Sequence, residues 1–221
     1  MVSALRSGEH VLSPRARNRR ATTAELRERV LDAAEGCFQR EGVTRSTVDG
    51  IAAAAGISRA TLYRSFSGRN ELVLAVLMRE VDRITGQLIT SILQFDSAED
   101  VITEGIIIAV RTIGDNRTLS MLFGPDAAAV TGRIAGSSEA LLERAHHFGR
   151  ILLGTLSPDA RKRLRSELGT DEVADHLVRV VLGFVVLPTP DHWSELDLRR
   201  YIRTFVVPAI VVDEDAVAVA P

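Results

Sequence analysis

Ser46-Thr47-Val48-Asp49-Gly50-Ile51-Ala52-Ala53-Ala54-Ala55-Gly56-Ile57-Ser58-Arg59-Ala60-Thr61-Leu62-Tyr63-Arg64-Ser65-Phe66 writes two short helices around a tight turn. Ser46 or Thr47 supplies a capping oxygen for a first helix. In it Val48, Ile51, Ala52 and Ala55 stand at i, i+3, i+4 and i+7 and share one buried face. Gly56 ends that helix, because glycine takes the left-handed conformation a helix C-terminus often needs. Ile57 plugs the core, and Ser58 caps a second helix predicted to run to about Phe66. Leu62 and Phe66, four apart, give this helix its inward face. Arg59, Ala60, Thr61, Tyr63 and Arg64 are left outside, a set of donors, methyl groups and phosphate-binding groups suited to a DNA major groove. Gly50 costs the first helix roughly 1 kcal/mol against alanine, so that helix leans on packing.

Upstream, Thr22-Thr23-Ala24-Glu25 has the capping-box spacing, which predicts a helix start at Thr22. Leu26, Val30, Ala34 and Phe38 follow at four-residue intervals, Leu31 and Cys37 widen the stripe, and Glu41-Gly42 stops it. Downstream, Ser67 is predicted to cap a long helix from about Gly68 to Leu93, with Leu77, Val81, Ile84, Leu88 and Ile92 as one seam. Such a helix leaves one domain and enters another.

Ala33-Ala34, Phe38, Gly42, Thr47-Val48, Ile51-Ala52, Ala55-Gly56-Ile57-Ser58, Thr61-Leu62-Tyr63, Phe66 and Glu71-Leu72 carry a specific resemblance. In order and spacing the segment from Val30 to Leu72 resembles the DNA-binding domain of the TetR family of transcriptional regulators. Three positions depart from the family pattern: Ala60 where glycine is commoner, Ser65 where histidine or tyrosine is usual, and Arg69 where lysine is usual. The resemblance implies an all-α fold, with an N-terminal three-helix domain joined by a long helix to a larger effector-binding and dimerisation domain. It implies that Arg59, Ala60 and Tyr63 face bases while Thr47, Thr61, Arg64, Ser65 and Arg69 hold the backbone, with Ser58 at the head of the reading helix. Physics agrees. Arg59 can give two hydrogen bonds to a guanine edge, worth roughly 1–3 kcal/mol of discrimination, and Ala60 and Tyr63 can meet a thymine methyl. Backbone contacts fix register and carry no sequence information directly.

The charge distribution points the same way. The 221 residues carry a net charge of −2, yet residues 1–70 hold 12 arginines against 7 acids, while residues 71–221 hold 15 basic against 22 acidic residues. Positive charge therefore sits with the motif, where it can neutralise phosphates and release counterions. Residues 1–21 lack apolar periodicity and form a predicted flexible arm, in which Arg17, Arg19 and Arg20 are candidates for DNA contact. A helix-turn-helix domain follows over 22–70, a helical effector and dimerisation domain over 71–211, and an acidic tail over 212–221. Cys37, the sole cysteine, lies on an apolar helix face and reads as core. One cysteine, no signal-like N-terminus and no bilayer-length apolar run predict a soluble cytoplasmic protein.

The C-terminal part reads as successive helices. Caps or openings are predicted at Ser97, Ser137 or Ser138, Ser157-Pro158, Thr170 and Ser194, with Pro188 and Pro190 as a break. Val173, Leu177, Val181 and Phe184 on one late helix, and Leu198, Ile202, Phe205 and Val206 on the next, exceed what one face can use. A two-fold four-helix interface is the predicted outlet, and the resemblance points to the same homodimer. Two-fold symmetry in turn predicts a palindromic operator. Leu88, Ile92, Ile106, Val110, Ile113, Met121, Leu122, Phe123, Phe148 and Leu152 are candidates either for plain core or for the cavity of a small apolar effector, which the resemblance implies along with repression.

An enzyme is disfavoured. No G-x-S-x-G elbow, P-loop or dinucleotide fingerprint occurs, no cofactor is implied, and Glu143 with His146-His147 is a weak metal pattern because adjacent histidines point about 100° apart. Activation instead of repression, a DNA-binding regulator without a small-molecule ligand, and a purely protein-binding module that kept the fold remain open at this level.

Overall fold

The computed structural model describes residues 14–187 and 193–212. Its N-terminal unit is α1 (Pro14–Glu41), α2 (Val48–Ala54) and α3 (Arg59–Tyr63), followed by the long α4 (Arg69–Ile92). Val30, Ala34 and Phe38 of α1 are buried against Ile51 of α2, Leu62 of α3 and Leu72, Val73 and Val76 of α4. Cys37 joins this core, as its position on the apolar stripe predicts.

The turn between α2 and α3 is built as its residues dictate. Thr47 caps α2 by accepting from the Gly50 N–H at 3.0 Å. Gly56 takes a φ of +67°, and its N–H and that of Ile57 bond back to Ala53 and Ala52 at 3.1 and 3.0 Å. That pair of bonds closes the helix end and satisfies the Ala52 and Ala53 carbonyls of its last turn. Ser58 then caps α3 by accepting from the Thr61 N–H at 3.1 Å.

Two predicted starts differ. α1 begins at Pro14, about two turns before Thr22, so residues 14–21 are helical instead of a flexible arm. Proline suits a first helical turn, and the arginines and alanines after it are good helix formers, which together override the local capping signal at Thr22. Residues 1–13 of the arm lie outside the described residues, as do the side chains of Arg17, Arg19 and Arg20. At the other start, Gly68 replaces Ser67 as the N-cap of α4 and offers no side chain; the Glu71 carboxylate accepts from the Ser67 N–H instead.

Among the described residues eight helices follow: α5 (Ala98–Asp115), α6 (Arg117–Leu122), α7 (Ala128–Gly136), α8 (Glu139–Gly154), α9 (Pro158–Lys162), α10 (Thr170–Val186), α11 (Glu195–Phe205) and α12 (Val207–Ile210). Ser97, Asn116, Ser138, Ser157 and Ser194 each cap the helix that follows them. α4, α5, α10 and α8 pack in a ring, each against the next. α8 and α10 approach closely at Gly149, where an added Cβ would lie 2.4 Å from the Ala174 Cβ. α11 is clamped to α5 by Arg199, which donates to both Glu104 carboxylate oxygens at 2.8 and 2.9 Å. Beyond α12, Val211 forms an isolated antiparallel bridge to Leu164.

The predicted interface set is corrected by burial within this one chain. Val173, Leu177, Ile202 and Val206 are all buried. Leu177 and Val181 face the interior of the helix ring. Val173 joins the core and Leu198 packs against it, whereas Phe205 is 67% exposed and Phe184 half-buried. The apolar girth of α10 is consumed largely by its own ring of helices, so only part of the set is left for another chain. Pro188, Pro190 and the acidic tail from residue 213 lie outside the described residues. Among the described residues, no helix is long and apolar enough to cross a membrane.

Candidate nucleic-acid interface and effector cavity

The short α3 presents most of the residues predicted to meet DNA. Ser58, Arg59, Ala60, Tyr63 and Arg64 are exposed, as is Thr47 at the start of α2, while Thr61, Ser65 and Arg69 are half-buried. Their hydroxyls are already linked: Ser58 Oγ lies 2.8 Å from Thr61 Oγ1, which accepts from Arg64 Nη2 at 3.3 Å. Thr47 is engaged as the α2 cap, and Arg69 opens α4 with its Nε shut off from solvent.

Arg59 is held from two sides. Its Nε lies 3.1 Å from Asp49 Oδ1 and its Nη1 donates to Oδ2 at 3.2 Å, while the guanidinium stands 5.4 Å from the Tyr63 ring centre. Tyr63 and then the Asp49 charge hold the guanidinium above its ordinary range. Asp49 is thus a site residue that the sequence reading missed. It lies ten positions from Arg59, on a different helix, and only the fold sets the two side by side. The pair fixes the direction of the arginine fork on the exposed side of α3. A second cation, Arg27, lies over the buried Phe66 ring at 4.5 Å and braces the end of this unit.

Within the ring of α4, α5, α8 and α10 is an apolar cavity of about 160 Å³. Leu88, Ile106, Ile113, Phe123, Phe148 and Leu152 of the predicted set line it. Ile92, Val110, Met121 and Leu122 do not: Ile92 and Leu122 are fully buried elsewhere in the core, and Val110 sits one position off the Ile106–Ala109–Ile113 stripe. The sequence reading also missed Leu77, Ala109, Leu119, Leu141 and Leu182, which line the same space.

Between the cavity and the N-terminal unit lies a charged cluster. Arg79 of α4, its side chain only 9% exposed, donates to Glu28, Asp32 and Glu35 of α1 at 3.3, 2.7 and 2.6 Å. Burial works against that charge, and the bonds to Asp32 and Glu28 more than offset it, so the guanidinium stays charged. Glu35 also accepts from Thr118 of α6, and the buried Glu80 accepts from Arg83 and, at 3.1 Å, from Asn116 Nδ2 at the head of α6. α6 therefore touches the DNA-side helix through Thr118 and the cavity through Leu119. Apart from the Glu80–Arg83 pair, three residues apart on α4, this cluster is not legible locally, because its partners are far apart in sequence. His146, by contrast, lies 3.7 Å from Asp175, and no group of three or more metal-ligating side chains forms among the described residues.

Known proteins match both halves of this arrangement. The profile of bacterial regulatory proteins, tetR family, matches residues 30–76. The chain is 31% identical over 183 residues to the HTH-type transcriptional regulator Rv1255c of Mycobacterium tuberculosis, covering 83% of this chain and 84% of that protein. Among solved structures it is similar to AlkX from Dietzia sp., a TetR family repressor implicated in biodegradation of n-alkanes. The TM-score is 0.56 with 25% identity, over 85% of this chain and 98% of that one. A TetR-family regulator from Pectobacterium atrosepticum shares the fold at a TM-score of 0.64 and 17% identity, over 88% and 98% of the two chains. The chain belongs to the TetR family of bacterial transcriptional regulators, DNA-binding proteins with an N-terminal helix-turn-helix and a helical C-terminal domain.

Proposed function

We propose that this regulator binds a palindromic operator as a homodimer, represses from it, and is released by a small apolar effector held between α4, α5, α8 and α10. One observation carries the reading: α4 is a single helix whose Leu72, Val73 and Val76 belong to the core beneath α3, while its Leu77, Val81, Ile84 and Leu88 line the cavity. A ligand that prefers one tilt of α4 shifts the placement of α3, and its effect on DNA affinity equals its differential affinity for the two arrangements. Repression is supported by the similarity to a repressor.

In this reading Arg59, Ala60 and Tyr63 meet bases, and Thr47, Ser58, Thr61, Arg64, Ser65 and Arg69 meet or frame the backbone. Arg17, Arg19 and Arg20, on the N-terminal extension of α1, add phosphate contacts. Dimerisation is supported by the apolar groups one chain leaves uncovered: Leu187, Leu196 and Phe205 are 67%, 72% and 67% exposed, Phe205 as the outer member of a Phe184–Tyr201–Phe205 ring cluster. Fluorescence anisotropy on the protein's own promoter, with and without a panel of apolar compounds, tests the reading. Release by at least one compound is expected; operator binding that no compound alters would leave a DNA-binding regulator without a sensor. Sedimentation at micromolar concentration tests the dimer, and a monomer there would remove the two-fold operator.

A further inference from the structure

Resting on the effector reading above, we infer that the cavity takes an uncharged hydrocarbon about as large as one benzene ring with a short alkyl substituent, and that it excludes molecules of two or more rings. Size is the first argument. The cavity measures about 160 Å³. A cavity of about 150 Å³ lined by Leu, Ile and Phe takes up benzene, whereas the clefts that hold drug-sized ligands run to about 300–1,000 Å³. The space between α4, α5, α8 and α10 belongs with the first kind. Its walls are not free to retreat, because Leu77, Ile102 and Leu119 line it and are fully buried. Admitting a second ring means shifting close-packed core side chains, which is costly.

Chemistry is the second argument. Of the lining side chains only Thr85 and Arg144 are polar; the rest are hydrocarbon. The Thr85 hydroxyl donates to the Val81 carbonyl at 2.7 Å, so its proton is taken. Arg144 donates to both Asp82 oxygens at 2.8 and 3.3 Å, so its charge is already matched. An anion in the cavity would have to take Arg144 from Asp82, and a cation would meet no carboxylate among the described lining residues. Burying either charge unpaired is costly. A hydrocarbon instead leaves water for a wall that offers dispersion contacts, and it asks for no polar partner.

Calorimetric titration of the full-length protein with benzene, toluene and ethylbenzene tests this, with naphthalene and biphenyl as two-ring ligands and benzoate as the charged one. Affinity is expected to rise about fourfold per added carbon across the alkylbenzenes. The two-ring compounds and benzoate are expected to bind at least about tenfold more weakly than ethylbenzene. Ala109→Leu enlarges a lining side chain and is expected to weaken ethylbenzene at least about tenfold, while Leu141→Ala trims a half-buried one and is expected to admit naphthalene. Should either variant not fold, the wild-type series decides alone. Two-ring compounds or benzoate that bind wild type as tightly as ethylbenzene would overturn the inference, as would alkylbenzenes that do not bind. Promoter anisotropy with the same compounds tests the effector reading separately. Ethylbenzene that binds without releasing the operator upholds the size class and removes the sensor; release by the larger compounds alone does the reverse.

Discussion

Arg79→Ala probes the join between the DNA-side helix and the cavity. The substitution removes a cation that is 9% exposed and that three carboxylates of α1 share. Glu28 and Asp32, 59% and 69% exposed, rehydrate when it goes. Glu35, at 20%, is left with Thr118, Gln39 and an Arg83 that stands 4.0 Å away. Breaking a fully buried pair costs roughly 3–5 kcal/mol; with two of three partners able to reach water, about 2–3 kcal/mol is expected. For a protein of this size that lowers Tm by about 5–10 °C. Arg150→Ala is the control, since Arg150 also joins two carboxylates, Glu143 and Asp171 at 2.8 and 2.7 Å, but on the surface. It is expected to cost little, because solvent screens an exposed ion pair and holding it fixed costs side-chain entropy. Thermal unfolding followed by circular dichroism compares the two. Equal and small losses would refute the idea that burial makes the Arg79 cluster a structural clasp. An Arg79→Ala protein that is destabilised yet keeps full effector response would separate stability from coupling.

Other outcomes follow from the same contacts. Asp49→Ala removes the internal partner of Arg59 together with a negative charge beside the proposed reading helix, so affinity for random duplex should rise several-fold; an unchanged value would mean that the pair does not compete with DNA. Arg64→Ala should weaken binding to all sequences alike and lower the salt slope by about one, measured by anisotropy across a salt series. Arg199 holds the Glu104 carboxyl below the usual carboxylate range, chiefly through its hydrogen bonds. A depressed folded-state pKa gives stability that is present above the unfolded value near about 4.3 and is lost as pH falls through the folded one. Glu104→Gln should therefore flatten the fall in stability below about pH 4.5, and an unaltered acid limb would contradict the assignment. Gly149→Ala, whose added methyl meets Ala174, should cost about 1–3 kcal/mol by overpacking α8 against α10, read from chemical denaturation.

The turn at Gly56 was legible because its chemistry is local: a cap at Thr47, a positive φ at Gly56 and a cap at Ser58 lie within twelve residues. The α1 start was not, because the Thr22 signal competes with a proline and a run of helix formers that extend the same helix backward. Periodicity found the apolar faces of α10 and α11 but could not say what covers them. Ile202 is buried inside the chain and Leu177 faces the cavity, while Phe205 stays outside. The same ambiguity split the cavity set, in which Val110 and Ile113 differ only by their angle around α5. Asp49 beside Arg59, and Arg79 beside Glu35, belong to a third kind of information, because these pairings exist only after the helices pack.

The central claim is that α3 reads DNA sequence through Arg59. Anisotropy titration of wild type and Arg59→Ala on promoter duplex and on random duplex, at one fixed salt concentration, tests it most directly. Wild type should prefer the promoter by about a thousandfold or more, and Arg59→Ala should lower that preference roughly tenfold to a hundredfold. A substitution that weakens both duplexes equally, or a wild type that does not distinguish them, would contradict the account.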